Sequence, residues 1–185
     1  IFHADHILLK PFEEEELLSG KHYWDRIRGG DNLHSVIWLY NRTGEKWLLE
    51  LAEKVYRRTA PWTSRGHDLN DIKNPKDKRE GVEFPDWFTD LIDWHNVNIA
   101  QGFRTPAQYY LLNGDEKYLN ATYENFNIVR DNFGQVPGGM FGGDENARPG
   151  YNDPRQGIEL CGVVEQMNSD EHLLRITGDI FWADH

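Results

Sequence analysis

Stacked helical hairpins, an all-α fold, are what this sequence predicts, and three observations predict them. Apolar residues recur at intervals of three and four over several stretches, the period of a helix with one buried face. Three glycine turns, Thr43-Gly44-Glu45, Asn113-Gly114-Asp115 and Thr177-Gly178-Asp179, break those stretches 70 and 64 residues apart, an interval suited to repeated helical hairpins. The long loops at 60–86 and 134–157 fall at the opposite end of the hairpins from these turns. Hairpins so spaced stack as an open solenoid or close into a toroid whose inner helices line a cleft, and loops gathered at one end favour the toroid. The expectation is part of an (α/α)6 ring, of which three glycine turns make about half.

In chain order, Phe12, Leu17, Leu18 and Tyr23 suit a short amphipathic helix. Pro11 fits its first turn, and the acids Glu13 to Glu16 complement its dipole. Gly29-Gly30 is expected to end that region, and Asp31 or Asn32 to cap the next helix, which Leu33, Val36, Ile37 and Tyr40 carry to about Arg42. Beyond Gly44, Trp47, Leu48, Leu51, Ala52 and Val55 share one helical face. Residues 60–86, polar and punctuated by Pro61, Gly66, Pro75, Gly81 and Pro85, read as a long loop and a candidate lid. Helical spacing resumes near Trp87 and runs through His95, Ile99, Phe103, Ala107, Tyr110 and Leu111. Within it, Thr105-Pro106-Ala107-Gln108 either forms a capping box between two helices or kinks one helix at Pro106. Past Gly114, Tyr118, Leu119, Tyr123, Phe126 and Val129 restart a helix, and another is expected to begin after Gly178.

Hydrophobic residues at 38% and aromatics at 13%, with seven Trp and eight Tyr, exclude a disordered chain. A net charge of −11 without a basic face argues against nucleic acid or an anionic membrane as partner. No apolar run approaches a membrane span and no signal-peptide pattern is present. One cysteine permits no internal disulfide. The sequence opens at Ile1 without Met and stops within a helical pattern. Residues 1–185 are therefore expected to be a fragment of a single catalytic domain, cut at both ends, with apolar faces that meet the remainder of that domain or a second copy as a homodimer.

Chemistry concentrates between Pro137 and Cys161. Four glycines in nine residues (Pro137 to Glu145) forbid a helix, the carboxylates Asp144, Glu145 and Asp153 follow closely, and the stretch meets Glu159 and the single Cys161. It reads as the wall of an active site. Taken alone, Cys161 in an apolar helix is a small buried hydrophobe and His95 an ordinary helix-end histidine.

In order along the chain come His95 with Gly114 nineteen residues later, Gly138-Gly139 leading to Glu145, Glu159-Leu160-Cys161 and Thr177-Gly178-Asp179. This series resembles the bacterial β-L-arabinofuranosidase family of glycoside hydrolases, family 127 and its relatives. The resemblance is firmest over residues 95–185 and extends to Gly29–Ala52 with the glycine pair one residue out of register. Leu160 stands where the family has Thr, the loop between Glu145 and Glu159 is shorter, and the family's later cysteine pair, one of them its proposed nucleophile, is not among these residues.

The resemblance implies an (α/α)6 glycosidase domain that removes β-L-arabinofuranosyl or related sugars from plant-type glycans with retention. Glu145 matches the general acid/base, with the adjacent Asp144 as its rival or a substrate contact. His95 is similar to a substrate-binding histidine, with Asn98 one turn on and Tyr151 as further sugar contacts. Glu159 and Cys161 resemble two ligands of a zinc site whose other ligands lie elsewhere. It also implies a bacterial protein in the cytoplasm, periplasm or exterior. The alternatives are another α/α-toroid sugar enzyme, an epimerase or uronyl hydrolase, and a non-catalytic carbohydrate-binding scaffold.

Overall fold

The computed structural model describes residues 27–64, 95–133 and 158–185, and these are helical, with no β-strand among the described residues. The chain divides into two compact units, Ile1–Ala60 and Pro61–His185. The expected first helix, the glycine-rich wall and residues 65–86 of the expected lid lie outside the described residues, while residues 62–64, expected in that loop, are helical because Trp62 is buried and its carbonyl accepts from Asn125 Nδ2 at 2.6 Å.

In the first unit, α1 (Gly29–Thr43) and α2 (Trp47–Arg58) form a hairpin. Leu33, Val36 and Ile37 of α1 are buried, as are Leu48, Leu51, Ala52 and Val55 of α2, the faces that the spacing predicts. Gly29 and Gly30 open α1, and Asp31 sits in its first turn rather than at its cap, which Arg28 occupies. Both glycines are buried there, and that tertiary requirement outweighs their low helix propensity.

The second unit holds α3 (Asn96–Gly102), α4 (Thr105–Asn113), α5 (Glu116–Phe133), α6 (Leu160–Thr177) and a terminal 3₁₀ helix (Ile180–Ala183). Of the two arrangements open at Pro106, the structure has two helices, but no capping box makes the break. Arg104 occupies the cap and its carbonyl accepts from the Gln108 N–H, while Thr105 lies inside α4. Pro106 brings no N–H to the first turn, and the next N–H, of Ala107, donates to Thr122 Oγ1 of α5 at 2.9 Å.

Helices α4 and α5 run antiparallel, since Ala107 meets Thr122 and the later Tyr109 meets the earlier Tyr118, and Phe103, just before α4, extends the contact. Tyr109 meets Tyr118 edge-on at 4.8 Å, and Phe103 meets Phe126 at 5.8 Å. Helix α6 instead runs parallel to α3: Gly162 lies against Asn96, and Ser169 Oγ donates to the Ala100 carbonyl at 2.5 Å. The core forms where these helices meet the 3₁₀ turn, from Phe103, Ala107, Phe126, Leu173 and Trp182. The segment after Gly178, expected to start an α-helix, is that 3₁₀ turn. Asp179 caps it by accepting from Phe181 N–H, Tyr123 donates its hydroxyl to Asp179 Oδ2 at 2.9 Å, and Trp182 Nε1 donates to the Tyr123 oxygen at 3.2 Å.

All three glycine turns have one geometry. Gly44, Gly114 and Gly178 take φ of 69°, 69° and 68°, a left-handed conformation that costs glycine least. Each N–H reaches the carbonyl four residues back, of Tyr40, Tyr110 or Leu174, at 2.8 Å. The preceding side chain of Thr43, Asn113 or Thr177 then accepts from the N–H two residues on. The repeat read from the sequence is thus a repeat of backbone structure.

Candidate functional site

Because α3 and α6 are parallel neighbours, their N-termini lie at the same end, away from the turns at Gly114 and Gly178. His95 caps α3 through its side chain and Glu159 stands at the N-cap position of α6 without a side-chain capping bond, and this places His95 Nε2 3.8 Å from Glu159 Oε2. Gly162 permits the close approach: a Cβ there would stand 2.7 Å from the Asn96 side chain, so any other residue must displace that buried amide or separate the helices.

The His95 ring is oriented by its own helix. Its Nδ1 accepts from the Val97 N–H at 3.2 Å, so the neutral ring carries its proton on Nε2, the nitrogen facing Glu159. Glu159 Oε2 is buried and makes no hydrogen bond. A hydroxyl brought to this pair can accept from Nε2–H while donating to the carboxylate, and this is the ordinary way a protein grips a sugar hydroxyl.

Asn98, one turn beyond His95, is fully buried. Cys161 is exposed, which overturns the expectation that a lone cysteine in this helix is a buried hydrophobe. Glu145, Asp144 and Tyr151 lie outside the described residues, so of the expected site the structure brings together His95 and Glu159.

Glu159 and Cys161 are the expected zinc ligands present here. No group of three His, Cys, Asp or Glu that could hold a metal ion occurs among the described residues, and His95 holds its proton on the nitrogen a metal would need. Two donors leave half of a tetrahedral site unfilled. The described residues alone do not fit zinc, and no chemical step is derived through it.

Residue-by-residue inspection of the sequence misses a network just below the site. Arg104, buried at the joint of α3 and α4, donates through Nη1 to Ser169 Oγ at 2.8 Å and lies 3.9 Å from Glu165 Oε2. Since Ser169 in turn bonds the Ala100 carbonyl, the network ties α6 to α3 and fixes the spacing of the His95 and Glu159 ends. The signal was available: Arg104 is the only Lys, Arg, Asp or Glu between His95 and Asp115. Among the described residues no helix is long and apolar enough to cross a membrane.

The family model described as Beta-L-arabinofuranosidase, GH127 catalytic domain, matches residues 3–185. No curated protein and no solved structure matches the chain.

Proposed function

The chain belongs to the GH127 catalytic-domain family of β-L-arabinofuranosidases, glycoside hydrolases with an all-α catalytic domain, and from that premise we propose that it cleaves β-L-arabinofuranosyl or related sugars from plant-type glycans with retention of configuration. The observation that carries the proposal is the His95–Glu159 pair, a proton donor and a carboxylate 3.8 Å apart at the shared end of two parallel helices. Such a pair grips one sugar hydroxyl and so orients the ring, which is the positioning that glycosidic cleavage requires.

In this reading Glu145 is the general acid. It protonates the leaving oxygen as the nucleophile attacks the anomeric carbon, then takes a proton from the water that releases the sugar. Asp144, Asn98 and Tyr151 are proposed as further substrate contacts. Glu159, through the carboxylate oxygen that does not face His95, and Cys161 are proposed to supply two of the ligands of a zinc ion, with the others from outside the described residues. Zinc there would keep nearby thiols ionised.

Aryl β-L-arabinofuranoside hydrolysis, followed by product anomer by NMR, tests the reaction and its stereochemistry. Glu145→Gln is expected to lower kcat by about two to four orders of magnitude while sugar binding persists, and unchanged turnover would remove Glu145 from the mechanism. His95→Ala is expected to raise KM more than it lowers kcat. Binding of arabinosides with no turnover in the unaltered protein would favour the scaffold alternative.

A further inference from the structure

The three glycine turns share one backbone, yet the middle one differs in chemistry. Thr43 and Thr177 precede their glycines, whereas Asn113 precedes Gly114, and Asn113-Gly114 is the one Asn-Gly pair in the sequence. Glycine has no side chain to shield its amide nitrogen, so this pair can cyclise. The Gly114 nitrogen attacks Asn113 Cγ, a C–N bond forms, the side-chain nitrogen leaves as ammonia, and water opens the resulting succinimide. Opening at one carbonyl gives aspartate; opening at the other gives isoaspartate, with the main chain rerouted through the former side chain. Water reaches the turn, because Asn113, Gly114 and Asp115 are all exposed.

The folded turn opposes that reaction. Its nucleophile is engaged: the Gly114 N–H donates to the Tyr110 carbonyl at 2.8 Å, and the nitrogen must shed that proton to attack. The approach is also wrong. Closing the ring brings Cγ, Cβ, Cα, C and N close to one plane, which an extended ψ allows, whereas Asn113 is the last residue of α4 and helical. Gly114 is held at φ 69°, and the hairpin around it is closed by the Ala107–Thr122 bond and by the edge-on contact of Tyr109 with Tyr118. Nor does the turn need an amide. Asn113 Oδ1 accepts from the Asp115 N–H at 2.8 Å, and Thr43 and Thr177 make the equivalent bond with a hydroxyl.

We propose that Asn113 is a deamidation site gated by the α4–α5 hairpin: the closed turn protects it, the open turn exposes it to cyclisation, and conversion marks the chain irreversibly. Local opening and reclosing are fast beside cyclisation, so the rate follows the population of the open turn. The products reclose poorly. Isoaspartate lengthens the turn by one backbone carbon and displaces the Gly114 N–H from the Tyr110 carbonyl. Aspartate brings a negative charge to the negative end of the α4 dipole, beside Asp115 and Glu116. The proposal is independent of the glycosidase assignment.

Peptide mapping by mass spectrometry, with an isoaspartate methyltransferase assay, reads the conversion. In denaturing urea Asn113 should be the fastest-converting asparagine of the chain, and in native buffer at the same pH it should convert at least about tenfold more slowly. Tyr118→Ala removes the ring contact between α4 and α5 and should speed conversion in native buffer severalfold while leaving the rate in urea unchanged. Should that variant not fold, urea below the unfolding midpoint takes its place, with conversion climbing before helical circular dichroism is lost. Asn113→Thr should keep the native circular dichroism and remove the isoaspartate at this position. Chain converted in urea and returned to native buffer should melt below Asn113→Thr treated alike. Equal rates in native buffer and urea, a native rate indifferent to both Tyr118→Ala and mild urea, or converted chain that melts with the Thr variant would overturn the proposal.

Discussion

Burial pushes the Asp170 carboxyl well above the usual carboxylate range. The residue is 4% exposed on α6, neither carboxyl oxygen finds a hydrogen-bond partner at ordinary distance, and desolvation raises its pKa from 3.8 to about 7, with Gln166 one turn earlier pulling weakly the other way. Among the described residues, charged groups on the elements packed against α6 have other partners. Arg104 turns to Ser169 and Glu165, Asp179 accepts from Tyr123, and His185 rests on Phe126 and Phe181. Between pH 4 and 7 the folded chain therefore holds a proton that the unfolded chain releases, so this residue makes stability fall as pH rises through that window and level off above it. The effect is on the order of a few kcal/mol. Asp170→Asn should flatten the fall and raise the melting temperature at pH 8 relative to the unaltered protein, as thermal unfolding across pH would show. An unchanged pH dependence would mean that Asp170 ionises without cost. Nothing in the sequence announced this residue, because Ser-Asp-Glu-His reads as a solvated helix face and only the packing of α6 buries its aspartate.

At the scale of elements, glycines do two different jobs, and substitution separates them. A Cβ at Gly114 would meet nothing within 4 Å, so Gly114→Ala suffers only the left-handed backbone, about 1–2 kcal/mol. At Gly102, the last residue of α3, a Cβ would fall 2.1 Å from the Trp62 indole, so Gly102→Ala must move the indole or the helix, about 1–3 kcal/mol or more. Denaturant unfolding should show both losses. Only Gly102→Ala should also perturb Trp62 fluorescence, and an unperturbed indole would refute the packing account. The same distinction explains what was legible. Left-handed glycine turns are local, so Thr-Gly-Glu, Asn-Gly-Asp and Thr-Gly-Asp declared the ends of α1, α4 and α6 directly. The start of α1 was misread and that of α4 left open between two arrangements, because both answer to distant groups. Gly29-Gly30 is helical where it packs, and Thr105 to Gln108 imitates a capping box while the Ala107 N–H is claimed by Thr122 of another helix.

For the molecule as a whole, the site was legible where it sits at helix ends and illegible where it depends on which helices are neighbours. His95 and Glu159 were singled out by motif, yet their approach follows from the parallel packing of α3 on α6, which Gly162 and the Arg104–Ser169 bonds enforce. That geometry also bears on metal. Helix-capping uses His95 Nδ1 and leaves the proton on Nε2, so this histidine does not ligate unless it first loses that proton. Glu159 and Cys161 then offer two donors toward a tetrahedral ion. The 185-residue chain is accordingly expected to bind zinc weakly and to lose it on dialysis, with substoichiometric metal by elemental analysis. Helicity and the unfolding midpoint should be unchanged by chelator, because the described contacts between α3 and α6 run through Ser169, Arg104 and Gly162 rather than through an ion. Stoichiometric zinc that survives dialysis, with loss of it in Glu159→Ala or Cys161→Ala, would show that the remaining ligands come from within these residues and would overturn the two-donor account.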